Sequence, residues 1–246
     1  MTAFGFNILG HRYEFGLSSI ERTYDAAHKA LIGQKHGCYA QFEALRRGEI
    51  VDDYDPLDGE YSKEDYLNFE IDGIESSIQI LRQSVLLMIY HFWEKQVLIW
   101  AGKKLKPMAD PSEQVTSESS GKKKKQEKPS PHHAYVDYCQ QNGLSVETQR
   151  MAELNLTVNL CKHGADWEPL NELKNVNLTE DEKEVLEKKS KQDRLFKIRP
   201  DMWKHDVQSH DPYDFLHLAH EHILEFFEAV RNSGPKTDGD FNPKPI

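Results

Sequence analysis

Ile78-Gln-Ile-Leu-Arg-Gln-Ser-Val-Leu-Leu-Met-Ile-Tyr-His-Phe-Trp-Glu-Lys-Gln-Val-Leu-Ile-Trp-Ala101 is the stretch on which the fold turns. Its apolar content invites a membrane reading. Arg82, His91, Glu94 and Lys95 interrupt it, and a spanning helix needs about 20 predominantly apolar residues with few charges. A helix that is apolar on most sides and still carries charges fits the centre of a water-soluble bundle. The segment is therefore read as a central bundle helix, and no membrane partner is expected.

The flanking sequence supports the same class. Residues 18–47 read as a first long helix, with Ser18 or Ser19 as cap, Gly48 as stop, and Gly33 and Gly37 as points where it could bend. Its apolar positions Ile20, Tyr24, Ala27, Leu31, Tyr39, Phe42 and Leu45 recur near the helical period. An acidic loop, 52–60, follows. Ser62-Lys-Glu-Asp65 is close to a capping box and opens a second helix over 62–104, with a break at Gly73. A short helix is expected over 132–142, ended by Gly143. A further helix is expected over 145–162, a surface helix from Thr179 to Lys191, and a last helix over 212–232. That last helix turns Phe215, Leu218, Ala219, His222, Ile223 and Phe226 inwards. No window alternates apolar and polar residues for long, so no sheet is expected. The fold class is an all-α helical bundle in a single domain, 1–246. Residues 106–131, rich in Pro, Ser, Glu and Lys, and the tail 234–246 are expected to be disordered.

Composition narrows the function classes. The 246 residues carry 41 acidic and 31 basic side chains, a net charge of −10. A dedicated duplex-DNA binder needs a basic face, and this balance argues against one. Lys122-Lys-Lys-Lys125 has no aromatic neighbour on which a base could stack, so it reads as a solvated loop. The three cysteines, Cys38, Cys139 and Cys161, form no CxxC pair. This fits a reducing, cytoplasmic setting without a zinc ribbon. The start of the chain lacks the basic and apolar regions of a signal peptide. His217, His220 and His222 share a segment, and His91 lies three residues before Glu94, yet no second ligand pair at telling spacing accompanies either. No metal and no cofactor are expected. There is no Gly-x-Ser-x-Gly elbow and no phosphate-cradling Gly-rich loop.

One polar constellation stands out at the end of the fourth helical segment: Asn159-Leu-Cys-Lys162-His163-Gly164. Asn159 and His163 are four apart and share a helix face. An amide, an imidazole and the Lys162 ammonium at one helix end suit phosphate binding or proton transfer. They equally suit a C-terminal cap, with Gly164 in the left-handed position.

The run Glu153-Leu-Asn-Leu-Thr-Val-Asn-Leu-Cys-Lys-His-Gly164 resembles the Asn-x-x-Lys-His-Gly helix of a family of uncharacterised bacterial all-helical proteins, itself similar to the HEPN (higher eukaryotes and prokaryotes nucleotide-binding) superfamily. Arg194-Leu-Phe-Lys-Ile-Arg-Pro-Asp-Met-Trp203 resembles that family's Leu-x-x-Leu-Arg-Pro-Asp-aromatic segment. Phe92-Trp-Glu-Lys-Gln96 is a weaker third match. Together these matches cover roughly 78–230. The resemblance implies a HEPN-like protein of phage-defence or toxin–antitoxin type. It would bind RNA or a nucleotide, form a homodimer, meet an antitoxin or defence-system partner, and act as a metal-independent endoribonuclease. It carries over His163, Asn159 and Lys162 as catalytic residues and Arg150, Asn155, Glu94 and Arg199 as binding residues. The signature arginine, separated from the histidine by four to six residues, is missing: Val158, Thr157 and Leu156 occupy the eligible positions, and Asn155 stands where relatives often carry Arg. The cation would come from Lys162, Arg150, Arg199 or a second subunit. A non-catalytic helical interaction or scaffold protein is the alternative.

Overall fold

A computed structural model describes residues 7–52, 61–102, 131–163, 195–206, 213–238, 241 and 243. Among them helices dominate. In chain order they are α1 (Ile8–Arg46), α2 (Lys63–Trp100), α3 (Pro131–Gln141), α4 (Thr148–His163) and α5 (His220–Asn232). A helical turn at 195–198 and a 3-10 turn, Pro200–Met202, precede a hairpin of β1 (Trp203–Asp206) and β2 (Tyr213–Leu216).

The all-α bundle stands, and α2 is its axis. It packs on α1, α3, α4 and α5. Val85, Leu86, Ile89, Trp93 and Val97 of the deciding stretch are fully buried. Each such side chain contributes on the order of 1.5–3 kcal/mol by leaving water. They meet Tyr13, Leu17 and Tyr24 of α1, Met151, Leu154 and Val158 of α4, and Ile223, Phe226 and Phe227 of α5. No described helix is long and apolar enough to cross a membrane. A second, smaller core lies along the α1–α2 pair alone: Cys38 against Leu67, Ile71, Ile74 and Ile78, flanked by Leu31, Ile32 and Phe42.

Local details differ from the sequence reading. The first helix starts ten residues before Ser18. Asn7 caps it, its side-chain oxygen accepting from the N–H groups of Leu9 and Gly10 at 3.1 and 3.2 Å. Ser18 lies inside α1 and donates to Glu14 at 2.9 Å. The helix runs through Gly33 and Gly37, and α2 runs through Gly73. At all three a side chain would meet nothing, so the glycine faces open space and the ladder continues. The Ser62 capping box is formed, with Asp65 as its reciprocal partner. Gly48 (φ +71°) ends α1, in the left-handed conformation that glycine adopts at least cost.

The expected last helix is divided. Its first part is β2, paired antiparallel with β1 in the register Trp203↔Leu216 to Asp206↔Tyr213, and the helix begins only at His220. The absence of any sheet is thus corrected to one two-stranded hairpin among the described residues. Residues 234–238, expected to open a disordered tail, lie on the start of α1. Asn7 donates to the carbonyl of Lys236 at 2.9 Å and of Thr237 at 3.3 Å, and Phe241 stands edge-on to Trp100. Expectations for residues 53–60, 103–130 and 164–194 fall outside the described residues, among them the lysine-rich segment and the helix from Thr179.

Candidate functional site

Two polar clusters are built into the bundle, and they differ in charge. The first gathers Arg150 and Arg199, two of the cations that the sequence offered to His163. Glu153 of α4 is buried, and its Oε2 accepts from Arg199 at 3.2 Å and from Arg150 at 2.9 Å. Arg199 also donates to Asp201 at 2.7 Å and reaches Glu225 of α5 at 3.1 Å; Arg150 reaches Glu225 at 3.4 Å. His222 closes the ring. Its Nε2 lies 3.0 Å from Asp201, and its Nδ1 accepts the N–H of Ala219 at the start of α5. Burial works against the Arg199 charge, but the bonds to Asp201 and Glu153, with Glu225 behind them, outweigh it and raise its pKa. The Arg199 bond, working against burial, pulls the Asp201 carboxyl down to about 2. Two guanidinium groups here face three carboxylates. A phosphate arriving at this cluster would meet net negative charge.

The remaining carried-over residues scatter. His163 is the last residue of α4, thirteen positions from Arg150, which at 1.5 Å per residue is about 20 Å along the axis. Asn159 donates to Asn155 at 3.2 Å, one turn back, and Lys162 is exposed. Glu94 accepts from or pairs with His91 at 2.7 Å and lies beside Tyr90 and Tyr135 at the α3 contact. The structure brings Arg150 and Arg199 together, and Asn155 with Asn159, but places Glu94 with neither pair. Burial pushes the Cys139 and Cys161 thiols up to about 12, which removes both as nucleophiles at neutral pH.

The second cluster joins α1, α2 and the entry to α5. Gln79 and Arg82, three apart on α2, clamp Leu218. Gln79 exchanges two hydrogen bonds with the Leu218 peptide at 3.0 and 3.2 Å, and Arg82 donates to the Leu218 carbonyl at 2.6 Å. That clamp fixes where α5 begins and so where His220 stands. On α1, Tyr24 and His28 are four apart and share a face. The His28 and His220 rings stack, centroids 4.4 Å apart and planes within 7°. Arg82 lies 3.2 Å from His28 Nε2. A guanidinium has no lone pair to offer, so His28 must accept there and carry its proton on Nδ1. The Tyr24 hydroxyl lies 2.9 Å from His220 Nδ1. Among the described residues His28 Nδ1 and His220 Nε2 make no hydrogen bond, and both rings are partly exposed.

Electrostatics set the protonation. Burial, then the neighbouring His220 and Arg82, lower the His28 pKa, so the ring is neutral at pH 7. Burial raises the Tyr24 pKa, with Arg82 opposing it. His217, just before the clamp, is held down to about 4 by burial and then by Lys204 and Arg82. Asp25 and Glu221 lend negative charge to Tyr24 and His28. Arg82 is buried, makes none of the salt bridges found among the described residues, and its Nε has no partner. The result is a guanidinium beside two partly exposed rings, each with one nitrogen that makes no hydrogen bond among the described residues, and one ring backed by a phenol.

Sequence reading passed over this set. In the sequence Tyr24 reads as an apolar core position, and Arg82 as an interruption of an apolar run. The available signal was polar residues at helical spacing on otherwise apolar faces: Tyr24 with His28, Gln79 with Arg82. No His/Cys/Asp/Glu group that could hold a metal occurs among the described residues. Protein-family models, curated proteins and solved structures yield no match to this chain.

Proposed function

We propose that the protein is a HEPN-like helical protein that binds the phosphate of an RNA strand or nucleotide at Tyr24, His28, Arg82 and His220, and that the His220 imidazole there moves a proton without a metal. The observation that carries this is the stacked His28–His220 pair with one nitrogen of each ring tied and the other making no hydrogen bond among the described residues. Metal-free cleavage of RNA needs a base for the 2′-hydroxyl proton, an acid for the leaving oxygen, and a cation for the charged intermediate. His220 Nε2 serves as base when the Tyr24 hydroxyl turns to accept from Nδ1–H. The Nδ1–H of neutral His28 donates a hydrogen bond to a phosphate oxygen, and the imidazolium formed on His220 returns its proton to the leaving oxygen. Arg82 supplies the charge. The resemblance of the α4 motif and of the segment around Arg199 supports the class. In this reading the Glu153–Arg199 network holds α4 on α5, and His163, Asn159 and Lys162 lie outside the chemistry.

The test uses a labelled single-stranded oligoribonucleotide in the presence of chelator. Fluorescence anisotropy should show binding by the wild type, and His28→Ala and His220→Ala should each weaken it by about tenfold, the worth of one charge-assisted or polar contact to phosphate. Cleavage, where it occurs, should vanish in His220→Ala. No binding of RNA or of mononucleotides by the wild type would overturn the reading. So would losses that merely track the folded fraction. The alternative, a non-catalytic interaction protein, draws on the exposed Tyr39, Tyr66, Phe69 and Ile80 of α1 and α2.

A further inference from the structure

The two polar clusters meet in a single peptide group. The Leu218 carbonyl and the Ala219 N–H belong to one planar unit, and in a trans peptide they point opposite ways. The carbonyl accepts from Arg82 at 2.6 Å and from Gln79 at 3.2 Å. The N–H donates to His222 Nδ1 at 3.1 Å. The unit is thus held at both poles, from α2 on one side and from α5 on the other. Its neighbours are tied as well. The Leu218 N–H donates to Gln79 at 3.0 Å, and the His217 N–H donates to the Met202 carbonyl at 2.7 Å. His220 follows Ala219 directly and takes its position from this joint.

Ala219 is the N-cap of α5, and its methyl group can accept no hydrogen bond. The acceptor comes instead from the third helical position, where a capping box ordinarily carries Glu or Gln. Here that position is His222, 7% exposed. An imidazole accepts only at a nitrogen that carries no proton. His222 Nε2 lies 3.0 Å from Asp201, which Arg199 holds at 2.7 Å and keeps ionised. A carboxylate accepts and cannot donate. Burial lowers the His222 pKa against the pull of Asp201, so the ring is neutral at pH 7. Its one proton therefore sits on Nε2, and the Nδ1 lone pair faces Ala219. The other tautomer would set N–H against N–H at Ala219 and a lone pair against the Asp201 carboxylate.

We propose that His222 is a positioning residue for the His28–His220 pair: Asp201 fixes its tautomer, and the tautomer fixes the Leu218–Ala219 peptide that leads into His220. The use of this control in phosphate binding rests on the function proposed for Tyr24, His28, Arg82 and His220; the control itself does not. Arg199, which offers a ligand no net charge, thereby acts on the second cluster at a distance, through Asp201 and His222.

His222→Gln and His222→Leu test it. A glutamine amide offers the same two groups, an oxygen for Ala219 and an N–H for Asp201, and has no tautomer to choose. Leucine offers neither. Without ligand, NMR reads the joint through the exchange of the Ala219 amide, and the stack through the ring-proton shifts of His28 and His220. His222→Leu should raise Ala219 exchange by about tenfold, the worth of one hydrogen bond, and move the ring shifts towards those of free histidine. His222→Gln should change neither. Asp201→Asn should spread the His222 ring between its tautomers, seen in the nitrogen shifts, with the same loss at Ala219. Adding His222→Gln to Asp201→Asn should bring exchange back to within about threefold of wild type. In the oligoribonucleotide assay His222→Leu should weaken binding by about tenfold, as His220→Ala does, and His222→Gln by less than about threefold. A folded His222→Leu with unchanged ring shifts and Ala219 exchange overturns the proposal, as does a glutamine variant no better than leucine. Should His222→Leu fail to fold, Asp201→Asn decides: no rescue by glutamine overturns the proposal, and rescue upholds it. A wild type that binds no RNA overturns the phosphate-site reading alone, since the ligand-free exchange and ring shifts still decide the role of His222.

Discussion

Arg199→Met should be among the most destabilising single changes in the described part of the chain. Arg199 and Glu153 are respectively 6% and 2% exposed, and the carboxylate is held by two guanidinium groups and the Gln149 amide. Removing one partner of a buried ion pair costs about 3–5 kcal/mol, because the other charge stays buried without compensation. Arg150 remains within 2.9 Å of Glu153, so the expected loss is at the low end, about 3 kcal/mol. For a protein of this size that is a fall in melting temperature of about 6 to 12 °C. The double change Glu153→Met with Arg199→Met removes both charges at similar volume and should recover most of the loss, since apolar replacement of a buried pair is often neutral. Urea unfolding at pH 7 measures both. Acid supplies a second readout. Asp201 is depressed to about 2 from an ordinary 3.8, so its stabilising contribution is complete above pH 4 and lost as pH falls towards 2. That acid limb should flatten in Arg199→Met. Asp201 is half-exposed, and solvent screening keeps its share well below that of Glu153. An Arg199→Met loss under 1 kcal/mol would refute the reasoning, as would a double variant no more stable than the single.

His132 is buried against Tyr90 and Trp93, and burial lowers its pKa from 6.5 to about 4. Its contribution to stability should be full above pH 6.5 and disappear as pH falls through 4, and an NMR titration should find the ring neutral down to that point. Gly10→Ala should push the Lys236 carbonyl off α1 at a cost of about 1–3 kcal/mol, with amide exchange of residues 234–238 rising together, because the new Cβ falls on that carbonyl. Ser62→Ala should cost about 1 kcal/mol by removing the cap of α2, and a change of less than a few tenths would show that the box contributes nothing.

What was legible in the sequence was whatever repeats locally. The run from Ile78 to Ala101 carries its helical character in every turn, and Ser62 with Asp65 announces the start of its helix. The beginning of α1 was misplaced because Ser18 and Ser19 look like caps, while Asn7 caps through a single side-chain oxygen and the turn after it holds no acidic residue. The hairpin was invisible for a different reason: its strands are four residues each, too short for alternation to register, and they pair across a chain reversal. The site was least legible. Tyr24 and His220 are 196 positions apart and Arg82 and Leu218 are 136 apart. No spacing rule links them until α1, α2 and α5 are packed. Arg199 shows the converse, a residue rightly singled out as a cation whose partners, Glu153 and Glu225, turn it to structural use.

The contrast between the two arginines bears on what the protein can hold. Arg199 is ringed by carboxylates, so it offers a ligand no net charge. Arg82 is tied to a backbone carbonyl and an imidazole, both neutral, so its charge is unspent within the cluster. Around it the chain as a whole carries −10, and beyond a Debye length of about 10 Å that field is screened in ordinary salt. A long duplex would bring many phosphates against acidic surface and gain from one guanidinium only. A mononucleotide, or a few nucleotides of single-stranded RNA, would bring one phosphate to Arg82 and leave the rest in solvent. The same balance predicts shallow salt dependence. Affinity for a short oligoribonucleotide should fall with a log–log slope near about −1, since a single phosphate is neutralised. A slope several times steeper would mean that the lysine-rich segment, and not Arg82, holds the RNA.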